Sequence, residues 1–388
     1  MKNYIIIIIF IIFLILYYYF LNNYIENFTN ICKVNNSDFF YVGECEYKIP
    51  APIKNKLNNN CIFETKKDEN WSLFIPCTYD YNPDEIKKIK KRVFTSNKKI
   101  FLIDGNDELA SKKNLWSNFR KHLGIKKTLN YLPMTYILDN YKDIDRLKHE
   151  FNKNTYYILK KDTQRQDNIK ITNSLEKILA LRSKYAVVQK LLINPYIINN
   201  RKINIRVYVL ITCKNNNINS YIFNDGFIYY TKKKFDTNSK NIDKHITTGY
   251  IDRKIYDINP LTISDFKLYL DKNSKHNKYE KTLIEKNIKL SDYFFNNVIK
   301  VIKKCMIVMK PKICKKKKIK KLNKFELFGF DLFINNKLKS LIMEINKGPD
   351  LGFKDDRDKE LKNKLIDNMF QKMNILNNSK EDNFIKML

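Results

Sequence analysis

FELFGFDLFI at 325–334 and KSLIMEINK at 339–347 are two apolar runs separated by a short polar turn, Asn335-Asn336-Lys337. Runs of this length and composition around an Asn pair read as two paired strands. Three polar residues interrupt them: Asp331 in the middle of the first strand, Glu344 and Asn346 in the second. Side chains alternate along a strand, so Glu344 and Asn346 point to the same face. A charge within so apolar a strand needs a partner. Two carboxylates and an amide oxygen are hard ligands, of the kind Mg²⁺ takes when it bridges nucleotide phosphates. The alternative is an edge strand with an exposed glutamate.

Upstream residues extend the same reading. Lys160 closes the apolar strand TYYILKK (155–161), and Lys202, Asn204 and Arg206 lie at i, i+2, i+4 around NIRVYVLIT (204–212). On a strand these three share one face, and a row of cations opposite a metal site suits a triphosphate. The glycines, at 43, 105, 124, 226, 249, 329, 348 and 352, assemble neither G-x-G-x-x-G nor G-x-x-x-x-G-K-[ST]. Both glycine-defined nucleotide loops are therefore absent. Gln189-Lys190, late in the apolar strand KYAVVQKLLI (184–193), offers backbone groups to an adenine edge. Taken singly, each of these residues also reads as a solvent-side polar residue.

The remaining pattern mixes strands with helices. KIFLID (99–104) reads as a strand, 107–123 and 143–151 as helices, SYIFND (220–225) and FIYYT (227–231) as two strands, 261–309 as helices with basic faces, and about 356–376 as a final helix. This predicts an α+β, mixed α/β architecture. With 44% hydrophobic and 13% aromatic residues, the 388-residue chain is not mainly disordered. Its net charge of +32 draws it to polyanions, unless the excess is drift in a Lys/Asn/Ile-rich composition.

Residues 5–21 (IIIIIFIIFLILYYYFL) are apolar throughout and read as an N-terminal transmembrane anchor, spanning 1–21 with its flank. Residues 22–95 form an irregular juxtamembrane segment holding Cys32, Cys45, Cys61 and Cys77, free thiols in a reducing compartment and two disulfides in an oxidising one. Residues 300–324 carry twelve lysines and read as a solvated loop or as a docking surface for an acidic partner.

Taken in chain order, these segments resemble the tubulin–tyrosine ligase-like family of ATP-grasp ligases over about residues 95–372. LPMTYIL (132–138) is similar to its Pro-x-Thr-Tyr segment. VVQKLLINPYIINNRKINIRVYVLIT (187–212) is similar to its Q-K/R-Y-I…K-F-D-x-R-x-Y-V-L run, HITT (245–248) to H-L-T-N, and FELFGFDLFI…LIMEINKGPDL (325–351) to F-E-L-F-G-F-D…L-L-E-V-N-x-x-P. The resemblance implies an ATP-grasp fold over 96–376, with lobes at about 96–152, 153–212 and 213–376. It implies ATP contacts at Lys160, Arg165, Gln189, Lys190, Leu192, Lys202 and Asn204, catalytic roles for Lys202 and Arg206, and Mg²⁺ ligands Asp331, Glu344 and Asn346. The chain departs from the pattern in four places. The R-G-x-G-I loop falls on Arg165–Ile169 without its glycines, K-F-D ends in Asn204, H-L-T-N ends in Thr248, and an arginine after the D-G-F segment is replaced at Tyr229-Tyr230.

The implied activity is ATP-dependent addition of an amino acid to a protein carboxylate through an acylphosphate. Glutamate is favoured, because the positive charge suits an acidic acceptor such as a tubulin tail. ATP and tubulin are cytosolic, so residues 22–388 are expected to face the cytosol, as a monomer. A second reading is a membrane-anchored, catalytically weak pseudo-ligase that binds microtubules or another polyanion. The basic stretches match no nucleic-acid module, and no specific nucleic acid is expected as partner.

Overall fold

Long apolar strands with both faces covered form the scaffold. The computed structural model describes residues 10–21, 38–42, 49–65, 71–76, 98–162, 169–215, 217–273, 275–315, 323–376 and 381–388. The helices are α1 (residues 10–21), α2 (Ala51–Asn58), α3 (Asp107–Ala110), α4 (Lys112–Thr128), α5 (Tyr141–Glu150), α6 (Leu175–Ala180), α7 (Ile263–Lys272), α8 (Lys278–Glu285), α9 (Leu290–Met309) and α10 (Asp356–Lys372). The strands are β1 (Asp38–Val42), β2 (Ile62–Thr65), β3 (Leu73–Ile75), β4 (Lys99–Ile100), β5 (Thr135–Ile137), β6 (Tyr157–Lys160), β7 (Lys170–Thr172), β8 (Val187–Lys190), β9 (Ile197–Ile198), β10 (Arg201–Lys214), β11 (Asn217–Thr231), β12 (Thr247–Thr248), β13 (Asn323–Ile334), β14 (Ser340–Lys347) and β15 (Phe384–Lys386). The expected mixed α/β architecture is the observed one, and it is consistent with an ATP-grasp fold.

The larger sheet runs β12-β11-β10-β13-β4-β3-β1-β2, with β14 on β13, β15 on β11 and β9 on β10. Strand β10 is its axis, antiparallel to β11 on one side and to β13 on the other. Ile203, Ile205, Val207 and Val209 are buried on one side of the pleat and Tyr208 and Leu210 on the other, which explains the continuous apolar run. Helix α9 buries Phe294, Val298, Val301, Ile302, Cys305 and Met306 at helical spacing and packs on α7 and β14. The second sheet, β5-β8-β6-β7, is antiparallel and encloses a separate core of Tyr136, Leu147, Tyr157, Leu159 and Val188.

Four expectations need correction or completion. SYIFND and FIYYT are one strand, β11: Gly226 pairs with Val207 and Ile222 with Val209 of β10, so the Asn224-Asp225 step is absorbed by a register shift and is not a turn. The 300–324 stretch is not a loop from its start: 300–309 completes α9, and Lys324 is buried in an ion pair with Asp104. Residues 316–322 lie outside the described residues. The transmembrane anchor is not supported: residues 5–9 of the run lie outside the described residues, and no helix among those described is long and apolar enough to cross a membrane. Cys61 is disulfide-bonded, and Cys213 on β10 is joined to Cys314 after α9, a pairing the sequence did not suggest. Cys32, Cys45 and Cys77 lie outside the described residues.

Candidate active site

Strand register sets the centre of the site. Arg206 on β10 stands opposite Asp331 on β13, and Asp331 stands opposite Glu344 on β14, so the three form one row across adjacent strands. Arg206 grips Asp331 with two parallel bonds, Nε to Oδ1 at 2.6 Å and Nη2 to Oδ2 at 2.9 Å. Burial disfavours the guanidinium charge, but Asp331 outweighs it and holds the Arg206 pKa above its ordinary value. Asn346, two residues beyond Glu344, donates Nδ2 to Asp331 Oδ2 at 3.1 Å. Between Asp331 and Leu332 the register slips by one residue, a bulge that brings Met343 to the same cavity as Glu344.

This row floors a cavity of about 520 Å³ bounded by both sheets. Ile158, Ile169 and Leu191 pack together as an apolar part of its wall, and Leu192 and Met343 also line it. Lys160 closes β6 above the centre, and Lys202 and Asn204 precede Arg206 along β10, so the expected i, i+2, i+4 face is realised. Lys202 donates to the His245 carbonyl at 2.9 Å. The outer end is lined by Tyr229, Gly249, Tyr250, Asp350 and Lys354.

The cavity is short of negative charge. Seven Lys or Arg side chains line it against three carboxylates. Burial pulls the Lys160 pKa down to about 8, with Glu344 opposing. Burial and then the Lys160 charge pull Lys202 down to about 7. Asn204 Oδ1 is buried without a hydrogen-bond partner among the described residues, an acceptor that a nucleotide hydroxyl or a hard cation would satisfy. A polyanion with a divalent cation therefore fits this donor set. Among the described residues no group of three or more His, Cys, Asp and Glu side chains is placed to hold a metal. A cation here would rest on two carboxylates, the Asn346 amide and the ligand's own oxygens.

Residues 88–383 match the Tubulin-tyrosine ligase family. The chain belongs to that family. Its relatives include Tubulin polyglutamylase TTLL7 of Xenopus tropicalis, 23% identical over 73% of this chain and 32% of the frog protein. Probable tubulin polyglutamylase ttll-9 of Caenorhabditis elegans is 24% identical over 74% of this chain and 70% of its own length. Tubulin monoglutamylase TTLL4 of Mus musculus is 22% identical over 82% of this chain and 26% of its own length. The chain thus spans about a third of the frog protein and about a quarter of the mouse protein.

Within this tubulin–tyrosine ligase family member, Lys160, Lys190, Leu192, Lys202, Asn204, Arg206, Asp331, Glu344 and Asn346 line one cavity. Gln189 does not line it: β8 pairs with β5 at Thr135, and the Gln189 Nε2 donates to Thr135 Oγ1 at 3.0 Å. Arg165 lies outside the described residues. Sequence reasoning missed Lys112, Tyr250, Asp350 and Lys354. Lys112, buried at the start of α4, reaches Glu344 Oε1 at 3.1 Å, while Asp162 accepts from its backbone N–H at 2.7 Å and from the Ser111 hydroxyl at 2.7 Å. The resemblance did mark Tyr229. Burial pushes its phenol up to about 12, so it is neutral beside Arg206, whose guanidinium lies 5.5 Å from its ring centre.

Proposed function

We propose that this chain is an ATP- and Mg²⁺-dependent ligase that adds glutamate to a carboxylate of an acidic protein tail, with tubulin as the acceptor. The observation that carries the reading is the convergence of buried Lys160 and Lys202 with the Arg206–Asp331–Glu344 row and Asn346 in one cavity. The glutamylase names of the relatives support glutamate and tubulin. The charge of +32 supports an acidic acceptor, attracted over a distance before contact.

Bound ATP supplies the phosphoryl group that activates an otherwise inert carboxylate. The acceptor carboxylate oxygen takes the γ-phosphoryl group and ADP leaves. The amine nitrogen of glutamate then attacks the acyl carbon. A C–N bond forms, the C–O bond to phosphate breaks, and the amine gives up a proton. Lys160 and Lys202 would hold phosphate oxygens, while Asp331, Glu344 and the Asn346 amide would hold Mg²⁺, spreading the transferring charge. Arg206, fixed by Asp331, keeps a guanidinium aimed along the floor. The apolar lining residues Ile158, Leu191, Leu192 and Met343 suit a base and shed water. ATP and tubulin place the catalytic residues in the cytosol under this reading.

The test is transfer of radiolabelled glutamate, glycine and tyrosine, in parallel, to tubulin and to a cell lysate with Mg-ATP. Glutamate is expected to enter protein, and Glu344→Gln to cut the rate by about 100-fold or more. Failure of all three labels, with Mg-ATP still stabilising the protein, overturns the ligase reading in favour of a catalytically weak binder. Ligand at one hundred times its dissociation constant adds about 2.7 kcal/mol, well within reach of a thermal shift.

A further inference from the structure

The outer end of the cavity holds a charged pair that no step above uses. After β14 the chain turns at Gly348 (φ 60°), and Asp350 and Lys354 face the cavity from that loop. Lys354 Nζ donates to the Gly249 carbonyl at 3.2 Å, lies 4.1 Å from the Tyr250 ring centre and stands 3.8 Å from Asp350 Oδ2. Tyr250 reaches the same Asp350 oxygen at 3.4 Å. Lys354 and Tyr250 line both the main cavity and an outer groove with Lys232, Ile251, Asp252 and Arg253, so the pair stands where the two meet.

Three of the cations around Lys354 are committed, and Lys232 lines the outer groove but not the main cavity. Arg206 spends its fork on Asp331, Arg253 is bonded to Asp355 at 2.6 Å, and Lys362 is bonded to Asp358 at 3.0 Å. Tyr229, where the resembling family often carries an arginine, supplies no charge. A carboxylate entering this end therefore meets Lys354, whose ammonium has three donors and one firm acceptor in the Gly249 carbonyl. Asp350, whose side chain is 46% exposed, presents the complementary acceptor for an amine.

The geometry points to Lys354 and Asp350 as the subsite for an incoming α-amino acid, Lys354 taking its α-carboxylate and Asp350 its amino group. The assignment rests on the ligase reading and names the residues that hold the backbone groups of the amino acid within it. Asp350 orients the amine, Lys354 anchors the carboxylate, and the rung at Asp331 and Glu344 lies further in. The α-carboxylate is common to glutamate, glycine and tyrosine, so the pair serves whichever of them is the substrate.

Calorimetric titration of the full chain, saturated with Mg²⁺ and a non-hydrolysable ATP analogue, tests it without turnover. The probes are L-glutamate, glycine and tyrosine, each against its α-amide. The wild-type protein is expected to bind the acids about 10- to 100-fold more tightly than the amides. Lys354→Ala is expected to lose that preference while keeping its affinity for the ATP analogue, which also reports folding. Lys354→Arg is expected to keep most of the preference. An undiminished acid-over-amide ratio in Lys354→Ala overturns the assignment, as does absence of binding of all three acids to the wild type. If Lys354→Ala weakens an acidic acceptor peptide but not the free amino acid, the carboxylate belongs to the acceptor and the assignment also falls. Acid preference that depends on Lys354, in a protein transferring no label, would keep the subsite and sink the ligase reading instead.

Discussion

Lys160 and Lys202 are cations buried before any anion arrives. Their pKa values, about 8 and about 7, mean that at pH 8 Lys202 is mostly neutral and Lys160 about half charged. A polyphosphate beside them favours the charged forms and returns both values toward 10.5, the ordinary lysine value. Binding at pH 8 must then draw protons from solution, on the order of one per nucleotide. Affinity for Mg-ATP is expected to fall as pH rises from 7 to about 9. Titrations in two buffers of different ionisation enthalpy measure this directly. Net proton release, or affinity that climbs across that range, would remove these lysines from the phosphate site. The same scale shows what a single residue can announce. Asp331, Glu344 and Asn346 were legible because each interrupts an apolar strand. Lys112 and Lys354 were not, since in a chain with 73 Lys and Arg one more lysine carries no signal until the fold turns it inward.

Between β10 and β11 the backbones approach so closely that only glycine fits at one position. A Cβ added to Gly226 would stand 2.1 Å from the Arg206 carbonyl oxygen, beside the register shift between Val207 and Val209. Gly226→Ala is expected to destabilise the protein by about 1–3 kcal/mol, as overpacking does. The strand it displaces carries Arg206, so activity should fall further than the folded fraction accounts for. Urea unfolding gives the first quantity and label transfer by the folded protein the second. A variant with the wild-type midpoint would show that the strands can part here without cost. Gly226 also explains why β11 was read as two strands. Asn224-Asp225-Gly226 has the composition of a turn, and only pairing with β10 on both sides of the register shift shows the strand to be continuous. The hairpin β13–β14, in contrast, was legible because apolar runs, polar turn and period-2 spacing all agree. In KIFLID only Lys99–Ile100 joins the sheet, although Phe101, Leu102 and Ile103 are buried. Burial is written in that composition, pairing is not.

For the molecule as a whole, the disulfide and the acceptor pull in different directions. Cys213 and Cys314 are 101 residues apart in sequence, buried, and joined between the central strand and the end of α9. Closing a loop of that length restricts the unfolded chain, and reduction is expected to cost about 2–4 kcal/mol. Unfolding of wild type with and without reductant, beside the Cys213→Ser/Cys314→Ser double variant, measures it. If the reduced wild type is as stable as the oxidised one, the bond constrains nothing. Such bonds persist in oxidising compartments and are rare in the cytosol, whereas ATP and tubulin are cytosolic. The ligase chemistry needs only the cavity and a nucleotide supply, so the bond bears on the acceptor and leaves the reaction class alone. Quenching intact cells with acid and alkylating thiols after denaturation, then reducing and alkylating with a second label, decides between the two. First-label modification of Cys213 and Cys314 would keep cytosolic tubulin as the acceptor. Second-label modification of both would move the enzyme to an oxidising compartment, where the +32 charge must find a different acidic polypeptide.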